Sequence, residues 1–203
     1  MNELQIESGD IFACYGSDRV SKTISIGTGS IFAPKRLKLG PSHVAIACQW
    51  MGSMYWVEST TMSATPCAIG GERVRGCQAH YPGQRIAEYT SEGGHVDHYR
   101  LTKIFELSGD ESELMSHVLI RHFVLKSTGY DMGHVLLAGT RLFKASRLFP
   151  GADLDRVFCS ELIAAVLQRI GRINHRNPTK FSPGTLMREL VRQGTYRFEK
   201  SYS

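Results

Sequence analysis

Residues 43–60 read HVAIACQWMGSMYWVEST. Two runs rich in apolar and β-forming residues, HVAIACQW (43–50) and MYWVEST (54–60), flank a Gly-Ser pair. That pattern predicts an antiparallel hairpin turning around 50–53, with the first run a buried strand. Upstream, IFACY (11–15) reads as a short strand, and 16–33 as a segment holding a short helix capped by Ser17. Downstream, 61–75 has Pro, Gly and no period, as a loop does. CQAHY (77–81) and HVDHYRL (95–101) read as strands, with a short helix from Pro82 over PGQRIAEY (82–89) between them.

The second half changes character. From about Ser108, acidic residues precede helically spaced Leu114, Val118, Ile120, Phe123 and Val124, and Gly129 is expected to end that helix. Further helices are expected over 130–143, 156–170 and 182–194, the last capped by Ser182 with Pro183 in its first turn. TYRFE (195–199) returns as a strand. Strands first and helices later predict one α+β domain over 1–203.

The chain has 203 residues, 42% hydrophobic and 21% charged, which fits a folded domain and excludes disorder. Its net charge of +5 reads first as an ordinary basic surface, and also suits an anionic substrate, a membrane surface or nucleic acid without choosing among them. Five cysteines, at 14, 48, 67, 77 and 159, are odd in number and irregularly spaced, which points to a reducing compartment rather than a disulfide framework. MNELQIESGDIF lacks the pattern of a secretory leader, and no apolar run is long enough for a transmembrane segment, so a cytoplasmic location is expected.

VFCSELIAAVLQRIG (157–171) holds the residue with most chemical potential. Cys159 shares a helical face with Leu162, Ile163, Val166 and Ile170, which by itself suits a core cysteine. Its place near a helix start also suits a thiolate, with the helix-end N–H groups holding an oxyanion. A thiolate needs a base. His43 stands at the mouth of the first hairpin strand, and reads either as that base or as a half-exposed strand-end histidine. Glu58 lies near the end of the second strand, where a hairpin brings it back beside His43. It reads as the group that orients the imidazole, or as a solvated strand glutamate.

GDIF (9–12), SHVAI (42–46), VEST (57–60), GYD (129–131), FCSELI (158–163) and SPGTL (182–186) occur in that order. The set resembles the circularly permuted papain-like proteins related to the NlpC group, of the YiiX/YaeF-like kind, across about residues 9–187. In that group the histidine strand comes first and the cysteine helix late, as here. The resemblance implies a permuted papain-like fold with an antiparallel sheet, and a cysteine hydrolase of the peptidase or amidase type. Cys159 would be the nucleophile, His43 the general base and acid, and Glu58 the orienting residue. Tyr130 falls where the family often has a tyrosine whose hydroxyl could line the site; it reads equally as a core tyrosine.

The implied substrate is a peptide, a peptidoglycan-like amide or an acyl lipid, with no cofactor and no metal. Cys67, Cys77, His80, His95 and His98 invite a zinc reading, but their spacing lacks a Cys-x-x-Cys knuckle, and a groove-shaping loop is the expectation for 61–95. His117 and His122, five apart, are not expected to share a helix face. Arginines 156, 169, 172, 176, 188, 192 and 197 come without a nucleic-acid fold signature, so they read as solvated helix faces and no nucleic-acid partner is expected. The alternative to a hydrolase is a non-catalytic lipid- or peptide-binding module on the same scaffold.

Overall fold

A computed structural model describes residues 5–60, 63–127, 154–175 and 177–203. Six strands form one sheet: β1 (Ile11–Tyr15), β2 (His43–Trp50), β3 (Ser53–Thr60), β4 (Gly76–His80), β5 (His95–Leu101) and β6 (Tyr196–Tyr202). Their order is β4-β3-β2-β1-β5-β6, and every neighbouring pair is antiparallel. The β2–β3 hairpin turns through Met51 and Gly52, both at positive φ, with Trp50 paired to Ser53. That is the mirror-image two-residue turn whose twist matches the strands. Ser53, expected in the turn, is already in β3.

The described helices are α1 (Arg19–Gly27), α2 (Pro82–Ser91), α3 (Gly109–His117), α4 (Leu154–Arg169) and α5 (Pro183–Arg192). The α1 cap differs from expectation. Asp18 accepts the N–H groups of Val20 and Ser21, while the Ser17 hydroxyl donates to the Glu92 carbonyl. Ser182 caps α5 as expected, accepting the Thr185 N–H. The last strand runs on to Tyr202 because β5 offers a partner along its whole length. The expected helix over 130–143 and its Gly129 stop lie outside the described residues.

The sheet is covered on both faces. One face presents Ile11, Ala13, Val44, Ile46, Val57 and Tyr99 to a core shared with α3, α4 and α5. The other presents Phe12, Cys14, Ala45, Ala47, Trp56 and Val96, closed by Ile86 and Tyr89 of α2. This is why β1 and β2 read as continuous apolar runs rather than alternating ones. Each fully buried aliphatic such as Ile46 or Ile163 contributes about 1.5–3 kcal/mol relative to exposure.

After α3 the chain continues through a π-helical run, Val118–Val124. The wider turn corrects one expectation. In it residues five apart come into line, and the exposed His117 and His122 rings lie 6.0 Å apart on one face.

Candidate active site

The hairpin register pairs Ile46 with Val57, so the same register sets Ala45 opposite Glu58 and leaves His43 diagonal to it on one face. The side chains meet: His43 Nε2 lies 2.7 Å from Glu58 Oε2. Glu58 has no solvent exposure. Its other oxygen, Oε1, accepts a 2.6 Å hydrogen bond from Arg85 Nε, which reaches down from α2. Arg85 also lies 2.7 Å from Glu88 through Nη1 and stacks over the Tyr89 ring at 4.7 Å.

Burial alone would raise the Glu58 carboxyl, but the Arg85 charge and the His43 hydrogen bond outweigh it and hold the group well below the usual carboxylate range.

Cys159 packs in the α4 layer with Leu162, Ile163 and Val166, all buried as the helical stripe predicts. His43 belongs by register to the α2 face of the sheet, opposite Cys14 of β1. The two layers come together where β2 begins, and there the His43 imidazole shares a hydrogen bond with the Cys159 sulfur. With Nε2 committed to Glu58, Nδ1 is the ring nitrogen left for the sulfur. Burial pulls the imidazole down, but Cys159 and then Glu58 lift it to about 10.

The structure thus brings His43, Glu58 and Cys159 together. Tyr130 lies outside the described residues. The described part of α4 begins at Leu154, which puts Cys159 in the second turn of that part.

The whole group is shielded: Cys159 has no exposure, and His43 retains 8%. Burial pushes Cys14 well up, with Glu58 adding to it, pushes Cys48 up to about 12, and raises Cys77 further.

Two residues at the site had no sequence reading that put them there. Arg85, 3% exposed, carried no role at all. A buried arginine beside an apolar Ile86 is the signal that a carboxylate must face it. His80 appeared only in the zinc reading. On β4, with Gln78 opposite Glu58, it lies 3.7 Å from Glu58 Oε1 and 3.1 Å from Gln78 Oε1. Gln78 is itself fixed by donating to the Thr60 and Val74 carbonyls. Burial pulls the His80 imidazole down.

The remaining candidates separate. His98 pairs with Asp10, His95 stacks on Tyr15, and Cys67 and Cys77 sit in the core. Among the described residues no group of three or more His, Cys, Asp or Glu side chains is arranged to hold a metal ion. Arg172 ties the Phe105 carbonyl to Glu111, and Arg188 donates to the Thr28 carbonyl, so these two are straps rather than solvated faces.

Among the described residues no helix is long and apolar enough to cross a membrane. No protein-family model matches the chain. No curated protein matches it. Among solved structures it is similar to metalloprotein yiiX from Escherichia coli O157:H7 (DUF1105), with 18% identity over 83% of this chain and 68% of that one, and a TM-score of 0.49.

Proposed function

We propose that the chain is a papain-like thiol hydrolase of the permuted kind, acting on an amide or peptide bond, with an acyl ester as the related substrate. The observation that carries the reading is one imidazole hydrogen-bonded to both the Cys159 sulfur and the Glu58 carboxylate. An imidazolium beside a sulfur favours the thiolate. The Cys159 thiolate attacks the carbonyl carbon and a C–S bond forms. His43 gives its proton to the leaving nitrogen as the C–N bond breaks. Water then adds to the thioester, His43 takes its proton, and the C–S bond breaks to release the acid. Glu58 fixes the ring so that Nδ1 faces the sulfur. Arg85 acts through Glu58 as a positioning residue, since its hydrogen bond keeps that carboxylate ionised and aimed.

The complete burial of Cys159 favours a second reading, a non-catalytic binding module in which the thiol is a core group. A pH series of iodoacetamide labelling, mapped by cysteine and repeated with His43→Ala, separates the two. The hydrolase reading expects labelling at Cys159 already at pH 6, slowed about 100-fold or more by His43→Ala. Labelling of Cys159 that rises only in the ordinary thiol range, above about pH 8, supports the binding module.

A further inference from the structure

From Arg19 to Val57 the chain carries Arg19, Lys22, Lys35, Arg36 and Lys38 and not one acidic residue. All five basic side chains are exposed; Arg36 also lies over the Phe198 ring at 3.7 Å with Asp97 3.9 Å away, and Asp18 caps α1 just ahead of Arg19, so Arg19, Lys22, Lys35 and Lys38 carry the patch. Interleaved with them are large apolar side chains turned to solvent: Ile26 at 71%, Ile31 at 80%, Phe32 at 93% and Leu39 at 57%. Single exposed apolar residues are ordinary, but several in one stretch mark a contact surface.

This stretch is held in shape. Gly29 N–H bonds to the Ile26 carbonyl, Ala33 N–H to Ser30, and Ser30 N–H to Lys38, so the loop folds back on itself. Leu37 is buried as its anchor, Gly40 N–H bonds to Ser25, and Arg188 clamps the Thr28 carbonyl. The apolar side chains are exposed on a loop that these bonds tie down.

We propose that this loop, with α1, docks the protein on an anionic lipid bilayer, Ile31 and Phe32 entering the headgroup boundary and the basic side chains meeting lipid phosphates. Apolar insertion together with basic attraction is the physics of interfacial binding without a spanning segment. Charge decides the occupant. A second copy of this face would set like charges opposite one another. Residues 128–153 of this chain, with Arg141, Lys144 and Arg147 against Asp131 and Asp153, are themselves net basic. An anionic bilayer complements the patch. The loop runs straight into Pro41, Ser42 and His43, so docking sets the membrane beside the end of β2 where the imidazole and sulfur meet. The consequence for substrate class, an acyl group carried by a lipid, rests on the thiol hydrolase reading; the docking itself does not.

The test is co-sedimentation of the full chain with vesicles of equal parts phosphatidylcholine and phosphatidylglycerol, against phosphatidylcholine alone. Expected is at least about tenfold tighter binding to the anionic vesicles, weakened by added salt. Ile31→Ser with Phe32→Ser, and separately Lys35→Glu with Lys38→Glu, each lose about tenfold or more, with melting temperature unchanged. Equal binding to both vesicles, or binding to neither, overturns the proposal. So does a fall in melting temperature for Ile31→Ser/Phe32→Ser, which would mean the chain covers its own patch. A concentration-dependent dimer that this variant abolishes would assign the surface to a second copy instead. Cys159→Ala is expected to bind vesicles like the parent. Vesicle binding by a chain whose Cys159 fails the labelling test would leave docking standing and remove the hydrolase reading alone.

Discussion

Among the described residues two histidine–carboxylate–arginine groups are built on a buried carboxylate, and one of the two has a thiol at the imidazole. His43 Nε2 lies 2.7 Å from Glu58, which Arg85 grips from α2. His98 Nε2 lies 2.7 Å from Asp10, which Arg100 grips from the same strand, β5. In the first group the other side of the ring meets Cys159. In the second the ring is stacked between Phe12 at 5.1 Å and Tyr202 at 6.4 Å. Asp10 also accepts the Glu7 N–H, and Arg100 donates to the Gln5 carbonyl, so the second group fastens the chain ahead of β1 to the sheet. A histidine and an arginine together are therefore one way to satisfy a buried carboxylate. What makes one a candidate for chemistry is the nucleophile on its open side.

The largest expected effect separates the two groups by reactivity. His43→Ala should slow labelling of Cys159 at pH 6 by about 100-fold or more, whereas His98→Ala should leave it unchanged. Equal slowing by both would mean that the variants act through global opening of the fold, and the contrast between the groups would fail.

Stability should separate them next. Glu58→Ala leaves the buried Arg85 with Glu88 but takes from it the carboxylate at 2.6 Å, and leaves His43 without its acceptor, so it should cost about 3–5 kcal/mol. Arg100 keeps Glu7 at 3.2 Å and Glu199 at 4.0 Å as other carboxylates, so Asp10→Ala should cost less, about 1–3 kcal/mol. Urea midpoints at constant slope measure both. Should Glu58→Ala fail to fold, Glu58→Gln, which keeps an acceptor, is expected to fall between. A larger cost for Asp10→Ala would mean that the fastening group, not the thiol group, is the more buried in energetic terms.

The two groups were not equally legible. His43 and Glu58 could be brought near each other from sequence because a short hairpin returns the second strand beside the first, while the two-residue turn that sets their register is seen only in the structure. The apolar stripe of its helix argued for Cys159 as a core residue, and its place near the helix start together with the family resemblance argued for chemistry. Arg85 was invisible because its carboxylate lies across a strand order that local pattern does not specify. Gln78 and His80 share that difficulty, since β4 is joined to β3 by a long aperiodic segment. Asp10 and His98 are far apart in sequence, and no spacing rule links them. The α1 cap was misread because Ser17 and Asp18 are both competent caps, and the Glu92 carbonyl takes the serine. The meeting of His117 and His122 depends on a π-helical turn, which a period of 3.6 residues cannot foresee.

Titration should sharpen the contrast through Cys159. The His43 imidazole is lifted to about 10, chiefly by the sulfur against the opposing pull of burial. A raised folded value means stabilisation that is full below about pH 6.5 and lost as pH rises through about 10. Glu58 is depressed, so its contribution is present above the ordinary carboxylate range and lost as pH falls toward its folded value. Denaturation midpoints across pH should therefore decline on both sides. Cys159→Ala should flatten the alkaline decline while keeping the acid one. An alkaline decline untouched by Cys159→Ala would show that the sulfur is not the counter-ion.

The smallest effects should come from exchanging the arginines. Arg85 divides its donors between Glu58 and Glu88 while lying over Tyr89, with 4% of its side chain exposed. Lysine offers one point charge and no plane, so Arg85→Lys should cost about 1–2 kcal/mol and also slow Cys159 labelling, because Glu58 would no longer be aimed. Arg100 is more exposed, at 12%, and part of its pairing is with Glu7, whose side chain is 61% exposed. Water screens that contact, so Arg100→Lys should stay within about 1 kcal/mol and leave labelling alone. Rescue of labelling is the sharper readout of the two. A positioning arginine must change the reactivity of a sulfur it does not touch, and a fastening arginine has no route to it.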